Sequence, residues 1–268
     1  MHTRFIAAIV AVAFTGAAAL AATAPQVLRD QATVTVNGVK ETWQLVWAEP
    51  PREVCGPAEV SSAATCPCSG FAYGEYGRLN LVRRHDGAVE NLDLGPMFDG
   101  QETPPLTKPI TGVAYLSRWP EARNDLARDN VDDTQLEADI RARPPVHHLR
   151  MGDYDRDGLA AEFLLQVGTV PCMKHKFVAV GVSKRDGRLH ALTSAAHPER
   201  PLVLFGEVWE ALRKGGGTVI TWECQDHGAE FHNETIVSVQ DGAIHAKRQT
   251  FTCPTGGAAR ALVEETDL

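Results

Sequence analysis

The sequence predicts a mainly β protein: antiparallel hairpins or a meander, sandwich- or barrel-like, with one or two helical insertions. Three observations lead there. Polar and apolar residues alternate through several segments, the pattern of strands with one buried face. Four pairs of such segments are split by Asn-Gly or Asp-Gly, dipeptides that tolerate the positive φ of a tight hairpin. A helical period is confined to two stretches.

In chain order, residues 1–21 come first and stand apart. One early positive charge precedes an apolar run over residues 5–14, and small residues follow. This is a secretory signal pattern, with cleavage expected near Ala22. The run is shorter than the ~20 apolar residues of a membrane span. Residues 32–36 and 41–47 then alternate around Asn37-Gly38. Residues 78–82 and 89–92 flank Asp86-Gly87. Pro104, Pro105 and Pro109 mark a loop. It divides an N-terminal β-rich region, 22–108, from a C-terminal one, 109–268, although the two are able to pack as one domain.

Residues 120–143 are charged and helix-compatible. Thr134 to Glu137 has the form of a capping box, and Leu136 and Ile140 share a face. Pro144-Pro145 ends that pattern. Residues 177–182 and 189–192 flank Asp186-Gly187. Residues 206–214 form a short helix pattern with Val208, Trp209 and Leu212 inward, stopped by three glycines. Residues 235–239 and 243–246 flank Asp241-Gly242. Residues 182–191 match 237–246 at six of ten positions. That is either a duplicated hairpin or two hairpins with the same turn chemistry.

A formal net charge of -8 argues against nucleic acid or an anionic membrane surface as a partner. No segment after the signal is apolar enough to span a bilayer. The six cysteines are Cys55, Cys66, Cys68, Cys172, Cys224 and Cys253. An even count in an exported chain favours disulfides. Cys224 and Cys253 bracket a predicted hairpin and are the expected pair. Cys55 would then join Cys66 or Cys68. The expected location is periplasmic or secreted.

The chemistry concentrates in residues 152–162, Gly-Asp-Tyr-Asp-Arg-Asp-Gly-Leu-Ala-Ala-Glu. Asp153, Asp155 and Asp157 stand at alternate positions. Gly158 permits a sharp turn, the Leu159 carbonyl offers another oxygen, and Glu162 can close the shell. Several hard oxygens aimed at one point suit calcium. The loop differs from an EF-hand, because its twelfth position is Leu164 and a strand follows.

The run Gly-Asp-x-Asp-x-Asp-Gly, a later acid and then an apolar strand resembles the calcium loop of FG-GAP and VCBS repeats, the integrin-α type. The resemblance implies side-chain ligands at Asp153, Asp155 and Asp157 and a backbone ligand at Leu159. That family usually carries its last acid where this chain has Ala161, one place before Glu162. The motif occurs once here, so no propeller is implied.

Other constellations are weaker. Cys172/His175 and Cys224/His227 have zinc-ligand spacing, but oxidation of exported cysteines argues against zinc. No nucleophile elbow, zinc-protease motif or phosphate loop is present, and no catalytic residue is assigned. The expected role is calcium binding in a binding or structural protein. The alternative is a periplasmic metal-dependent hydrolase in which His147 and His148 serve a metal-bound water.

Overall fold

Asn37-Gly38, Asp86-Gly87 and Asp241-Gly242 place all six residues at positive φ, the backbone of a tight type I′ hairpin. They set the pairing of most of the chain. A computed structural model describes residues 25–56, 71–101, 110–122, 125, 133–170, 174–226, 229–254 and 259–268. The expected signal, residues 1–21, lies outside them, as do Cys66, Cys68, Cys172 and His227.

The strands are β1 (Val27–Val36), β2 (Val39–Trp47), β3 (Arg52–Val54), β4 (Gly74–Gly77), β5 (Leu79–His85), β6 (Ala88–Asp93), β7 (Ala114–Ser117), β8 (Glu162–Val170), β9 (Lys174–Gly181), β10 (His190–Ala191), β11 (Leu204–Phe205), β12 (Gly217–Trp222), β13 (Phe231–Gln240), β14 (Ala243–Thr252) and β15 (Leu262–Asp267). The helices are α1 (Asp133–Arg141) and α2 (Gly206–Lys214). Four sheets result. Their orders are β1-β2-β5-β6, β3-β4-β7, β12-β13-β14-β15, and β10-β9-β11 with β8 also on β9. All pairings between these strands are antiparallel, and no sheet closes into a barrel among the described residues. The chain is therefore mainly β and sandwich-like, as its alternation predicts.

Two apolar clusters hold the sheets together. The main core takes Trp43, Leu45 and Trp47 from alternate positions of β2, with Leu79 and Leu81 from β5. It extends through Leu136 and Ile140 of α1 to Phe163, Leu165 and Val167 of β8. It thus draws on residues either side of the proline-marked loop. The second core packs Val208, Trp209 and Leu212 of α2 over Val237 and Ile244 of the C-terminal sheet. Strand β9 serves both. Val178 and Val180 face the main core, and Ala179 faces the second. A strand covered on both faces reads as a continuous apolar run, which is the pattern of residues 177–182.

The expected helix at 206–214 is observed with the same bounds, and Val208, Trp209 and Leu212 are its buried residues. Cys224 and Cys253 form a disulfide with Cα atoms 5.5 Å apart, bracketing the β13–β14 hairpin. Cys55 is also disulfide-bonded. The fourth expected turn differs. Asp186 and Gly187 do not take positive φ, and β9 pairs with β10 through Gly181 and His190 across a wide loop. The loop is drawn onto the first sheet: Arg83 Nη1 donates to Gly187 O at 2.6 Å, and Leu189 N donates to Glu90 Oε1 at 2.7 Å. The two similar ten-residue segments therefore adopt different turns, which argues against a duplicated hairpin.

Buried charges in the N-terminal half come as hydrogen-bonded pairs. Arg83 donates to both Glu41 oxygens, at 2.7 and 2.8 Å, and to Glu90 at 3.2 Å. Arg143 holds both oxygens of buried Asp125 at 2.6 and 2.7 Å. Arg29 pairs with Glu75.

Candidate metal centre

The acidic loop is closed at its base by a two-way backbone pair. Gly152 N donates to Glu162 O at 2.7 Å, and Glu162 N donates to Gly152 O at 3.1 Å. Nine residues are thereby folded back on themselves. Arg156 and Gly158 reverse the chain with φ of 58° and 86°. Leu159 is buried in the main core. Tyr154 packs on the second, its ring edge-to-face with Trp209 at 6.1 Å and 83°. The loop therefore has one apolar anchor on each side.

Inside the loop, Asp153, Asp155 and Glu162 each present one carboxylate oxygen, and these oxygens lie within 4.8 Å of one another. Two oxygens bound to one calcium at ~2.3–2.6 Å are at most about 5.2 Å apart, so the three fit a single ion of that size. Glu162 is fully buried and Asp155 is 8 % exposed. Asp153 Oδ1 and Glu162 Oε1 are buried with no hydrogen-bond partner among the described residues. A buried acidic triad that could hold a metal ion is thus part of this fold.

The other loop residues have defined partners. Asp157 accepts the Leu159 N–H at 2.7 Å and also the Lys184 N–H. The Lys184 ammonium donates to the Asp157 carbonyl. Asp157 thus ties the loop to the segment after β9, and it stands outside the triad. The Leu159 carbonyl accepts the Ala161 N–H at 2.9 Å. The remaining oxygens of the triad are pinned as well, Glu162 Oε2 by Tyr154 N at 2.9 Å and Asp153 Oδ2 by Gly158 N at 3.0 Å. Asp155 Oδ1 accepts from Asp157 N at 3.1 Å.

Strand parity explains the position of Glu162. Ala161 is fully buried in the main core, and the next side chain on an extended segment points the opposite way. Glu162 is therefore directed into the loop. Gly181 makes this possible. It pairs with Glu162, and a Cβ there would lie 2.0 Å from Ala161 O and 2.7 Å from Glu162 Cα. An isolated glycine within an apolar strand pattern signals such a close backbone approach. Lys184, by contrast, has no local signature in the sequence.

The electrostatics follow from burial. Desolvation raises Glu162 from the ordinary 4.5 to about 9; the Tyr154 N–H opposes the rise, and the neighbouring aspartates add to it. Desolvation raises Asp155 to about 6, again against one backbone hydrogen bond and with help from Asp157 and Asp153. Without a cation Glu162 keeps its proton near neutral pH. A divalent ion provides the alternative.

The two histidines are engaged elsewhere. His147 Nδ1 lies 2.6 Å from Asp30 Oδ1. Half-buried His148 has Nε2 at 3.1 Å from Ser117 O and 3.2 Å from Arg29, and desolvation with the Arg29 charge lowers its pKa to about 4. The zinc constellation loses Cys224 to its disulfide with Cys253. No helix among the described residues is long and apolar enough to cross a membrane. The chain matches no family model, no curated protein and no solved structure.

Proposed function

We propose that this is an exported calcium-binding β protein whose ion clasps the loop to β8, in a binding or structural role. The observation that carries the reading is the convergence of three carboxylates, two of which keep a buried oxygen with no protein partner. The donors are all oxygens, which suits a hard cation. The aspartate spacing resembles the FG-GAP and VCBS loop. Here Asp153, Asp155 and Glu162 are assigned as the side-chain ligands, with Asp157 as the residue that orders the turn. Export is supported by the N-terminal signal pattern and the oxidised cysteines. The engagement of His147 and His148 with Asp30, Ser117 and Arg29 supports a clasp over a hydrolytic centre.

The test is a melting curve of the chelated protein against the same protein in millimolar calcium, with metal analysis. Extracellular calcium modules bind at about 10⁻⁴–10⁻³ M, so that addition raises the melting temperature if the reading holds. An unchanged melting temperature, with no bound metal, reduces the loop to an acidic turn.

A further inference from the structure

The face of the C-terminal sheet that meets α2 changes character along its length. Inward positions of β13 run Val239, Val237, Thr235, Asn233, and their partners on β14 are Ile244, Ala246, Arg248 and Thr250. The apolar end, Val237 with Ile244 and Ala246, is buried in the second core under α2. The polar end does not simply emerge into solvent. Asn233, Thr235 and Arg248 line a cavity of about 400 Å³, walled on its other side by Leu202, Leu204 and Phe205. Sites for small ligands are commonly about 300–1,000 Å³, mostly apolar, with a few convergent polar groups.

The charge around this cavity runs against the rest of the chain. Acidic residues outnumber basic ones 34 to 26 overall. No Asp or Glu lines the cavity, whereas Lys176, Arg200 and Arg248 do. Arg200 and His197 stand near exposed Glu199, at 3.9 and 3.4 Å. Arg248 has no ion-pair partner among the described residues. Helix α2 begins at the cavity wall, and Phe205 at its N-cap supplies no side-chain cap to the first-turn N–H groups, which carry partial positive charge. Asn233 Oδ1 is buried and unpartnered. A terminal amide can turn either its oxygen or its NH₂ towards a ligand. Leu268 also reaches the wall, where the Ser194 hydroxyl donates to an oxygen of its α-carboxyl group and its N–H is given to Ala246 O, so this negative group is held by Ser194. The aromatic surface is Phe205 against Trp222, edge-to-face at 6.5 Å.

We propose that this cavity binds a small organic anion with an apolar body, a carboxylate on a hydrocarbon or aromatic frame. Arg248 and Lys176 receive the anionic group, and Phe205, Trp222 and Leu204 cover the body. The site is separate from the acidic loop and does not depend on the calcium reading.

Titration calorimetry on the full chain tests this with three probes: decanoate, decanol and inorganic phosphate. Decanoate is expected to bind about tenfold more tightly than decanol (~1.4 kcal/mol), and phosphate more weakly than either. Arg248→Gln, at an exposed side chain, is expected to keep the wild-type melting temperature and bring decanoate to the decanol level. Lys176→Gln is expected to weaken decanoate in the same direction, and Arg248→Lys to retain most of the selectivity. Equal affinity for decanoate and decanol would overturn the proposal, because the cavity would then be apolar only. So would phosphate binding as tightly as decanoate, no heat from any probe, or decanoate affinity unmoved by both charge-removing variants.

Discussion

Glu41 and Glu162 are both buried glutamates on strands, and the protein treats them in opposite ways. Burial pushes Glu41 upward, but the hydrogen bonds and charge of Arg83 outweigh it and hold its carboxyl below the ordinary value. At Glu162 the same burial is unopposed by any arginine, and the neighbours are three more carboxylates. Glu75 and Asp125 are likewise buried, each against its own guanidinium. The N-terminal half thus brings a cation to every carboxylate named there, while Lys184 meets the loop at Asp157 and not at the triad. Desolvated charge without a partner is costly. The contrast implies that the triad's partner comes from solution, as a proton or as a metal ion.

The largest effect should come from breaking the paired region. Arg83→Met strands Glu41 in the core, and losing one partner of a buried pair costs about 3–5 kcal/mol. Urea unfolding measures it, and a loss below about 1 kcal/mol would erase the distinction between the two regions. Next is the ion. At 100-fold excess over Kd, calcium should add roughly 2.7 kcal/mol, at about 2–4 °C in melting temperature per kcal/mol for a chain of this size. Glu162→Gln and Asp155→Asn should lose that gain, yet melt no lower than wild type in chelator. A chelated variant that melts well below chelated wild type would show that the carboxylates stabilise the loop unaided.

Gly181→Ala should cost about 1–3 kcal/mol, as overpacking does, because its Cβ collides with backbone atoms on either side of the Ala161–Glu162 bond. It should also shrink the calcium response, which thermal scans with and without chelator would reveal. An undiminished response would separate the triad from the β8–β9 pairing. The last comparison is in pH, where the two glutamates differ in sign. In chelator, folded Glu162 keeps its proton up to about pH 9, whereas the unfolded chain releases it near 4.5. The folded state binds more protons across that interval, so wild type loses stability relative to Glu162→Gln as pH rises through it. Glu41 has a lowered folded value. Its contribution is in place above the ordinary carboxyl range and fades as pH falls. Paired melting curves of Glu162→Gln and Glu41→Gln against wild type should diverge in opposite directions at high pH and converge in acid.

Local chemistry was the legible part of the chain. Asn37-Gly38, Asp86-Gly87 and Asp241-Gly242 specify their hairpins through two residues each, and the α2 pattern includes its own stop. Asp186-Gly187 carries the same signal, but its loop is claimed by Arg83 and Glu90, about a hundred residues earlier. Short strands such as β3, β4 and β7 depend on distant partners and have no sustained alternation. In the acidic loop, spacing identified the aspartates. It could not distinguish Asp157, which orders the turn, from Asp153 and Asp155, which face Glu162. That difference arises from Lys184 and from the seating of Ala161 in the core, both long-range events.

Tyr154 and Leu159 are five positions apart and rest against different cores. The loop between them is consequently a mechanical linkage, a short crossbeam between two halves of the molecule. Rigidity gained in the crossbeam is transmitted to both supports. An ion seated there would act less like a local brace than like a pin through a hinge, making the two layers yield together under heat or load.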